Sequence, residues 1–307
     1  MDRTKHGRRQ TAVVPLCMTL YAACAFEPDG VEVQLSDGSL LEIPAQLVHF
    51  DNDRGDALQG VWMQPELDGP LGAVVVLHGN GGLFTEPDRD DTKLEVAPQF
   101  ADWSAMLTRR GYAVLLPSSY YSRGFWEWDD APRDLDEVDR LVLRTHDAYG
   151  ALRFVCSEQA VDCDRIALLG FSNGASATLM SMQDDLELLP RTAGLTPAAQ
   201  RERFIEAHAF YPGCGLQGLL DDSPYFPTAP LRVYHAAFDP LLEHCPSRQA
   251  ESSAEAQRRG VEDPMTVRVY DGADHGFDSS PDNQAELDAQ DDARERALAA
   301  LATALDP

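Results

Sequence analysis

Short apolar runs recur along the chain with a rhythm that names its architecture. "AVVVLHG" (73–79), "YAVLLP" (112–117), "RIALLG" (165–170), "FIEAHAFYP" (204–212), "LRVYHAAF" (231–238) and "MTVRVYDG" (265–272) are each bounded by glycine, proline or polar turns. Between them lie longer stretches with helical spacing of apolar positions, among them "APQFADWSAMLTRRG", "DEVDRLVLRTHDAYGALRFV", "SRQAESSAEAQRRG" and the C-terminal "NQAELDAQDDARERALAALATAL". A strand that is apolar throughout is covered on both faces. Strands alternating with helices therefore predict a mostly parallel central sheet flanked by helices on both faces. Ahead of this rhythm, "VEVQL", "LLEIPAQLVHF" and "GVWMQP" predict an opening antiparallel portion. Residues 184–203 form the longest insertion between elements, a small lid or a surface excursion. No repeat or long linker divides the chain, so residues 26–307 read as a single catalytic domain.

The first residues break the pattern. Arg3, Lys5, Arg8 and Arg9 precede an apolar run that ends in small residues around Ala23-Cys24-Ala25, the anatomy of an export signal over residues 1–25. The run is shorter than the ~20 residues a membrane-spanning helix needs, and no later segment is long enough. The expected location is periplasmic or secreted. In an oxidising compartment the remaining Cys156, Cys163, Cys214 and Cys245 form an even set, and three pairings of two bridges are open. Cys156 and Cys163 share one short loop. Cys214 and Cys245 follow successive strand ends, so these two pairs are the favoured bridges. With a net charge of -26 and only two lysines, Lys5 and Lys93, the chain lacks the basic surface that nucleic acid requires.

In such sheets the ligand crevice lies beyond the carboxyl ends of the strands, which is where chemistry is to be sought. The strand at 165–170 breaks into "GFSNG", with Ser172 between Gly170 and Gly174 and a helix-forming segment after it. This is the G-x-S-x-G arrangement that holds a serine exposed on a tight turn. A plain strand-to-helix loop with Ser172 as N-cap is the alternative. The strand at 73–77 leads into His78-Gly79-Asn80-Gly81-Gly82, whose backbone N–H groups can point into the crevice. Asp239-Pro240 follows the strand at 231–238, and "DGADHGF" with His275 follows the last strand. Each has a bland reading: Asp before Pro is a turn former, and His275 sits in a polar turn. Those readings leave unexplained three catalytic residue types, each after a strand, in the order Ser, Asp, His used by α/β-hydrolases. His208 and His235 lie inside strands and read as core residues.

Together "LHGNGGL", "SRGFWEW", "RIALLGFSNGA", "AFYPGC" and "YDGADHGF" resemble the dienelactone hydrolase family of α/β-hydrolases, from about residue 55 onward. The resemblance implies the α/β-hydrolase fold, Ser172 as nucleophile, His275 as base and Asp239 as orienting acid. It also implies an oxyanion hole from the N–H groups of Asn80 and Asn173, no cofactor and no metal. Founding members use cysteine where this chain has Ser172, which favours ordinary carboxylic esters over lactones. Ser118 stands where relatives often have Asp before the "SRGF" loop. Tyr120, Arg123 and Trp126 in that region are candidate substrate-binding residues. Arg123 either meets a substrate carboxylate or locks the loop in a salt bridge, and the aromatics either line the mouth or pack beneath loops. The expected partner is a small-molecule ester, and the sequence leaves the oligomeric state open. The rival readings are a peptidase or acyltransferase on the same fold, and a binding protein that retains the fold without turnover.

Overall fold

Every residue of β4 (Leu71–Leu77) is buried, with Ala73, Val75 and Leu77 packed into one core and Val74 and Val76 into another. The same alternation holds in β8 (Val161–Phe171), where Ile166 and Leu168 face one side and Ala167, Leu169 and Phe171 the other. This two-sided burial is why these strands read as unbroken apolar runs rather than as alternating ones. In this computed structural model, residues 30–85, 93–184, 203–220 and 224–307 are described. The export segment and nearly all of the 184–203 insertion lie outside the described residues.

The main sheet has eight strands in the order β11-β10-β9-β8-β4-β7-β3-β2. Besides β4 and β8 it contains β2 (Ala45–Asp51), β3 (Ala57–Met63), β7 (Ala113–Ser118), β9 (Glu206–Phe210), β10 (Leu231–Ala236) and β11 (Met265–Tyr270). The pairs β2/β3 and β3/β7 are antiparallel; every other pair is parallel. One face is covered by α2 (Glu137–Ser157) and α3 (Asn173–Met182), the other by α1 (Pro98–Thr108) and α5 (Gln284–Leu305), while α4 (Cys245–Arg259) packs against β11. This is the α/β-hydrolase fold, as the apolar rhythm predicts.

One strand sits elsewhere. β1 (Gly30–Glu32), the start of "VEVQL", pairs in parallel with β6 (Lys93–Val96), which also takes β5 (Phe84–Thr85) in a separate three-stranded sheet. It does not join the antiparallel opening formed by β2 and β3. Val33 and Leu35 are buried with the α1 residues Phe100, Trp103 and Leu107, so this segment caps the helical layer and leaves β2 as the sheet edge.

Helix boundaries follow local chemistry. Asp136 accepts a hydrogen bond from the Asp139 N–H while the Asp139 side chain accepts from the Asp136 N–H, a reciprocal cap that starts α2. Pro98 opens α1 and Asn283 caps α5. The buried face of α2, with Leu141, Ala148, Leu152 and Val155 in the core, matters for the site because Arg140 and Arg144 leave the same helix.

Candidate active site

Ser172 terminates β8 and caps α3 with φ 51° and ψ -118°, a conformation that costs a non-glycine residue free energy and persists only where its surroundings enforce it. Its N–H donates to the Phe210 carbonyl at 2.9 Å. Cβ atoms at Gly170 and Gly174 would overlap the Thr178 hydroxyl and the backbone carbonyls of Leu77 and His78. The two glycines therefore let α3 turn back tightly against β4 and β8, and the turn lifts the serine into the crevice.

Three chain-distant residues meet there. Ser172 Oγ lies 3.0 Å from His275 Nε2, and His275 Nδ1 lies 2.6 Å from Asp239 Oδ2. Asp239 stands just after β10 and His275 just after β11, on neighbouring parallel strands. The Leu241 N–H donates to Asp239 Oδ1 at 2.9 Å. Burial pushes the Asp239 carboxyl upward, but the bonds from His275 and Leu241, with the charge of His275 and His235, hold it below its ordinary value of 3.8. The His275 ring packs edge-on against Tyr211 at 4.7 Å. Behind it the Tyr211 hydroxyl donates to the buried Asp278 carboxylate, which also accepts from Trp103 Nε1 at 2.9 Å and Gln99 Nε2 at 3.0 Å. Burial raises Asp278 despite these donors. Of the two strand histidines, His235 accepts from the Ala236 N–H and donates to the Pro212 carbonyl at 3.0 Å. His208 is fully buried beside Tyr234 and Glu206.

The glycine-rich turn after β4 is held from beneath. The Ser119 N–H donates to His78 Nε2 at 3.2 Å, so Nδ1 carries the proton and donates to the Gly79 carbonyl at 2.8 Å. Burial and the nearby Arg144 guanidinium push His78 well below its ordinary pKa, which keeps it neutral. The Gly79 carbonyl shares its peptide plane with the Asn80 N–H, so this bond fixes that donor's direction. The Trp128 N–H donates to the Asn80 carbonyl at 2.9 Å, and Arg140 donates to Asn80 Oδ1 at 2.9 Å. Asn173 occupies the first position of α3, where its N–H has no acceptor within the helix. Its Oδ1 accepts from Arg144 at 2.8 Å.

A cleft of about 190 Å³ opens beside Ser172, walled by Leu141, Leu216 and Leu241 and edged by Glu137, Arg140 and Ser176. Leu216 and Gln217 both hold positive φ on its rim. Cys214, beside them, is bridged to Cys245 at the start of α4, and Cys156 is bridged to Cys163, both pairs as expected. The cleft wall is thus tied covalently to the segment that follows Asp239.

The aromatic loop after β7 does not line the cleft beside Ser172. Arg123 forms a two-pronged pair with the fully buried Asp147, at 2.8 and 2.9 Å, and a second pair with Asp56 at 3.2 Å; it locks its loop and does not line the cleft. Trp126 packs on Tyr121, with its carbonyl against Gly82. Tyr120 is buried beneath Asn173, its hydroxyl 3.4 Å from Asn173 Oδ1. None of the three lines the cleft beside Ser172, while Tyr120 and Arg123 line a separate, smaller hollow with Phe125 and Trp128. The residues that sequence reasoning passed over are Arg140, Arg144, Tyr211 and Asp278. Their one signal was a pair of arginines at i and i+4 around the apolar "LVL" of α2. Among the described residues no group of three or more His, Cys, Asp or Glu is arranged to hold a metal ion.

Comparison with known proteins agrees with this fold. Three solved structures share the fold. A dienelactone hydrolase-like promiscuous phosphotriesterase from metagenomic libraries superposes with a TM-score of 0.57 at 19% identity, covering 86% of this chain and 99% of its own. A thermophilic carboxylesterase cloned from a metagenomic library gives 0.55 at 17% identity, covering 88% and 92%. Thermogutta terrifontis esterase 2, in a form phosphorylated by paraoxon, gives 0.57 at 16%, covering 87% and 97%. No curated protein matches the sequence. The model of the dienelactone hydrolase family matches residues 58–305, and the chain belongs to that family.

Proposed function

We propose that the protein is an exported serine hydrolase that cleaves carboxylic esters through an acyl-enzyme on Ser172. The observation that carries the reading is the unbroken relay of Ser172 Oγ, His275 and Asp239 at 3.0 and 2.6 Å. An alcohol is a weak nucleophile at neutral pH, so His275 Nε2 takes the Ser172 proton as Oγ attacks the acyl carbon. Asp239 holds the Nδ1–H tautomer and stabilises the imidazolium. The carbonyl oxygen becomes an oxyanion between the N–H groups of Asn80 and Asn173, donors that in comparable sites contribute roughly 3 to 4 kcal/mol each. Collapse of the intermediate breaks the ester C–O bond, and His275 returns its proton to the leaving alcohol. Water then attacks the acyl-Ser172 carbonyl with His275 as base, releasing the acid and restoring the serine. Leu141, Leu216 and Leu241 favour an apolar group beside the reacting carbon. Two disulfides support folding in an oxidising compartment, reached by way of a cleaved signal over residues 1–25.

A fluorophosphonate probe on the mature chain, with aryl esters of graded acyl length, tests the reading. Covalent labelling of the wild type and loss of ~10³-fold or more of esterase activity in Ser172→Ala are expected. Full activity in that variant excludes Ser172 as nucleophile.

A further inference from the structure

Arg144 is 1% exposed, and a guanidinium cannot shed its charge, so its burial demands compensation. Among the described residues no carboxylate lies within ion-pair distance of it. Its partners are neutral: Asn173 Oδ1 at 2.8 Å, the His78 carbonyl at 2.5 Å, the Tyr120 hydroxyl at 3.4 Å, and the Tyr120 ring at 5.2 Å from its carbon centre. One guanidinium thus spans the two loops that present the Asn80 and Asn173 N–H groups. One turn earlier on α2, Arg140 holds the Asn80 side chain, lies 4.6 Å over the Trp128 ring and is paired with Glu137.

We propose that Arg144 is the positioning residue of the oxyanion hole. It joins the two donor loops, and its positive charge, met by no carboxylate among the described residues, lies against the residues whose N–H groups meet the negative charge that develops during the reaction. The inference rests on the oxyanion reading of Asn80 and Asn173. Its physical basis is differential. At rest the buried cation is satisfied by neutral oxygens and a ring face, whereas the tetrahedral intermediate supplies a full negative charge on the other side of the two donor loops. Such a residue raises kcat with little effect on ground-state binding.

The test compares wild type, Arg144→Met and Arg144→Lys on a phenyl ester and its thionoester, and measures inhibition by phenylboronic acid, whose serine adduct places an oxygen in the hole. In Arg144→Met, kcat for the oxygen ester is expected to fall by ~10²- to 10³-fold, with KM nearly unchanged. The wild-type preference for oxygen over sulfur shrinks, boronate inhibition weakens in step, and Arg144→Lys recovers part of the loss. Wild-type kcat in Arg144→Met overturns the proposal. So does an equal loss on ester and thionoester with no recovery in the lysine variant, which marks a merely structural role. Should Arg144→Met lack a cooperative thermal transition, Asn173→Ala decides: it keeps the backbone donor but removes the guanidinium's acceptor, and an unchanged oxygen-to-sulfur preference counts against the proposal. A wild type inert to fluorophosphonate and esters brings down the esterase reading itself. An active wild type with an inactive Ser172→Ala and wild-type-like Arg144 variants brings down this inference alone.

Discussion

Two arginines, the half-buried Arg123 beside helix α2 and the buried Arg144 of that helix, meet opposite surroundings. Arg123 is answered by a fully buried carboxylate of that helix, Asp147, and by Asp56. Arg144, three residues before Asp147, meets a backbone carbonyl, an amide oxygen and the hydroxyl and ring of Tyr120. A buried charge that is paired at rest holds a loop in place, and nothing remains for chemistry to alter. A buried charge left without its opposite keeps a field directed at the space in front of it. The first belongs to the frame of this molecule; the second, in the role proposed for it, serves the crevice.

The comparison breaks most visibly at the acid. In the proposed mechanism Asp239, like Arg144, answers charge that appears in turnover, so Asp239→Asn is expected to lower kcat by ~10⁴-fold through the wrong imidazole tautomer. The near-ultraviolet dichroism should stay native; steady-state kinetics and the spectrum together check this. A larger loss from another Asp would move the acid elsewhere.

On the frame side the expected effect is on stability. Arg123→Met leaves Asp147 buried and unpaired and should cost about 3 to 5 kcal/mol in urea unfolding. Turnover per folded molecule should stay within ~3-fold, since the side chain does not line the cleft. Adding Asp147→Asn should recover part of the cost. A loss of kcat without a loss of stability would erase the distinction between the two arginines.

The third difference is covalent. Cys214–Cys245 closes a separation of 31 residues on the crevice side, and in the chain-entropy model its reduction lowers stability by about 3 to 4 kcal/mol, less if reduced states retain structure. Because it ties the cleft wall to the segment after Asp239, turnover should fall further than substrate binding weakens. The Cys156–Cys163 bridge, with a separation of 7, lies away from the crevice, and its removal should leave kcat unchanged. Calorimetry and kinetics on Cys214→Ser/Cys245→Ser and on Cys156→Ser/Cys163→Ser separate the two.

The smallest effect is on the pH profile of stability. The folded-state pKa of Asp239 is depressed below 3.8, with His275 and His235 facing it. Its contribution is therefore complete above that value and is lost as pH falls through the lower folded-state value. The gap in unfolding free energy between wild type and Asp239→Asn should narrow only in that acid window. A gap that closes between pH 5 and 7 would mean that another group sets it.

The sequence by itself determined the layered sheet and singled out Ser172, Asp239 and His275 at its strand ends, which the fold brings within hydrogen-bond distance of one another. Burial on both faces of a strand and the turn at Gly170–Gly174 leave local marks, with periods and residue types that can be read within a dozen positions. The strand "VEVQL" was legible as a strand but not as a partner of β6, since pairing depends on an edge supplied some sixty residues away. Arg123 left two roles open until the fold brought Asp147 beneath it. Arg140 and Arg144 were passed over in the sequence, because a helix does not record which neighbour will cover it. Only the tertiary structure decided that one arginine would meet a carboxylate and the other would not. Charge compensation is a matter of a few ångströms across chain segments that the sequence keeps far apart.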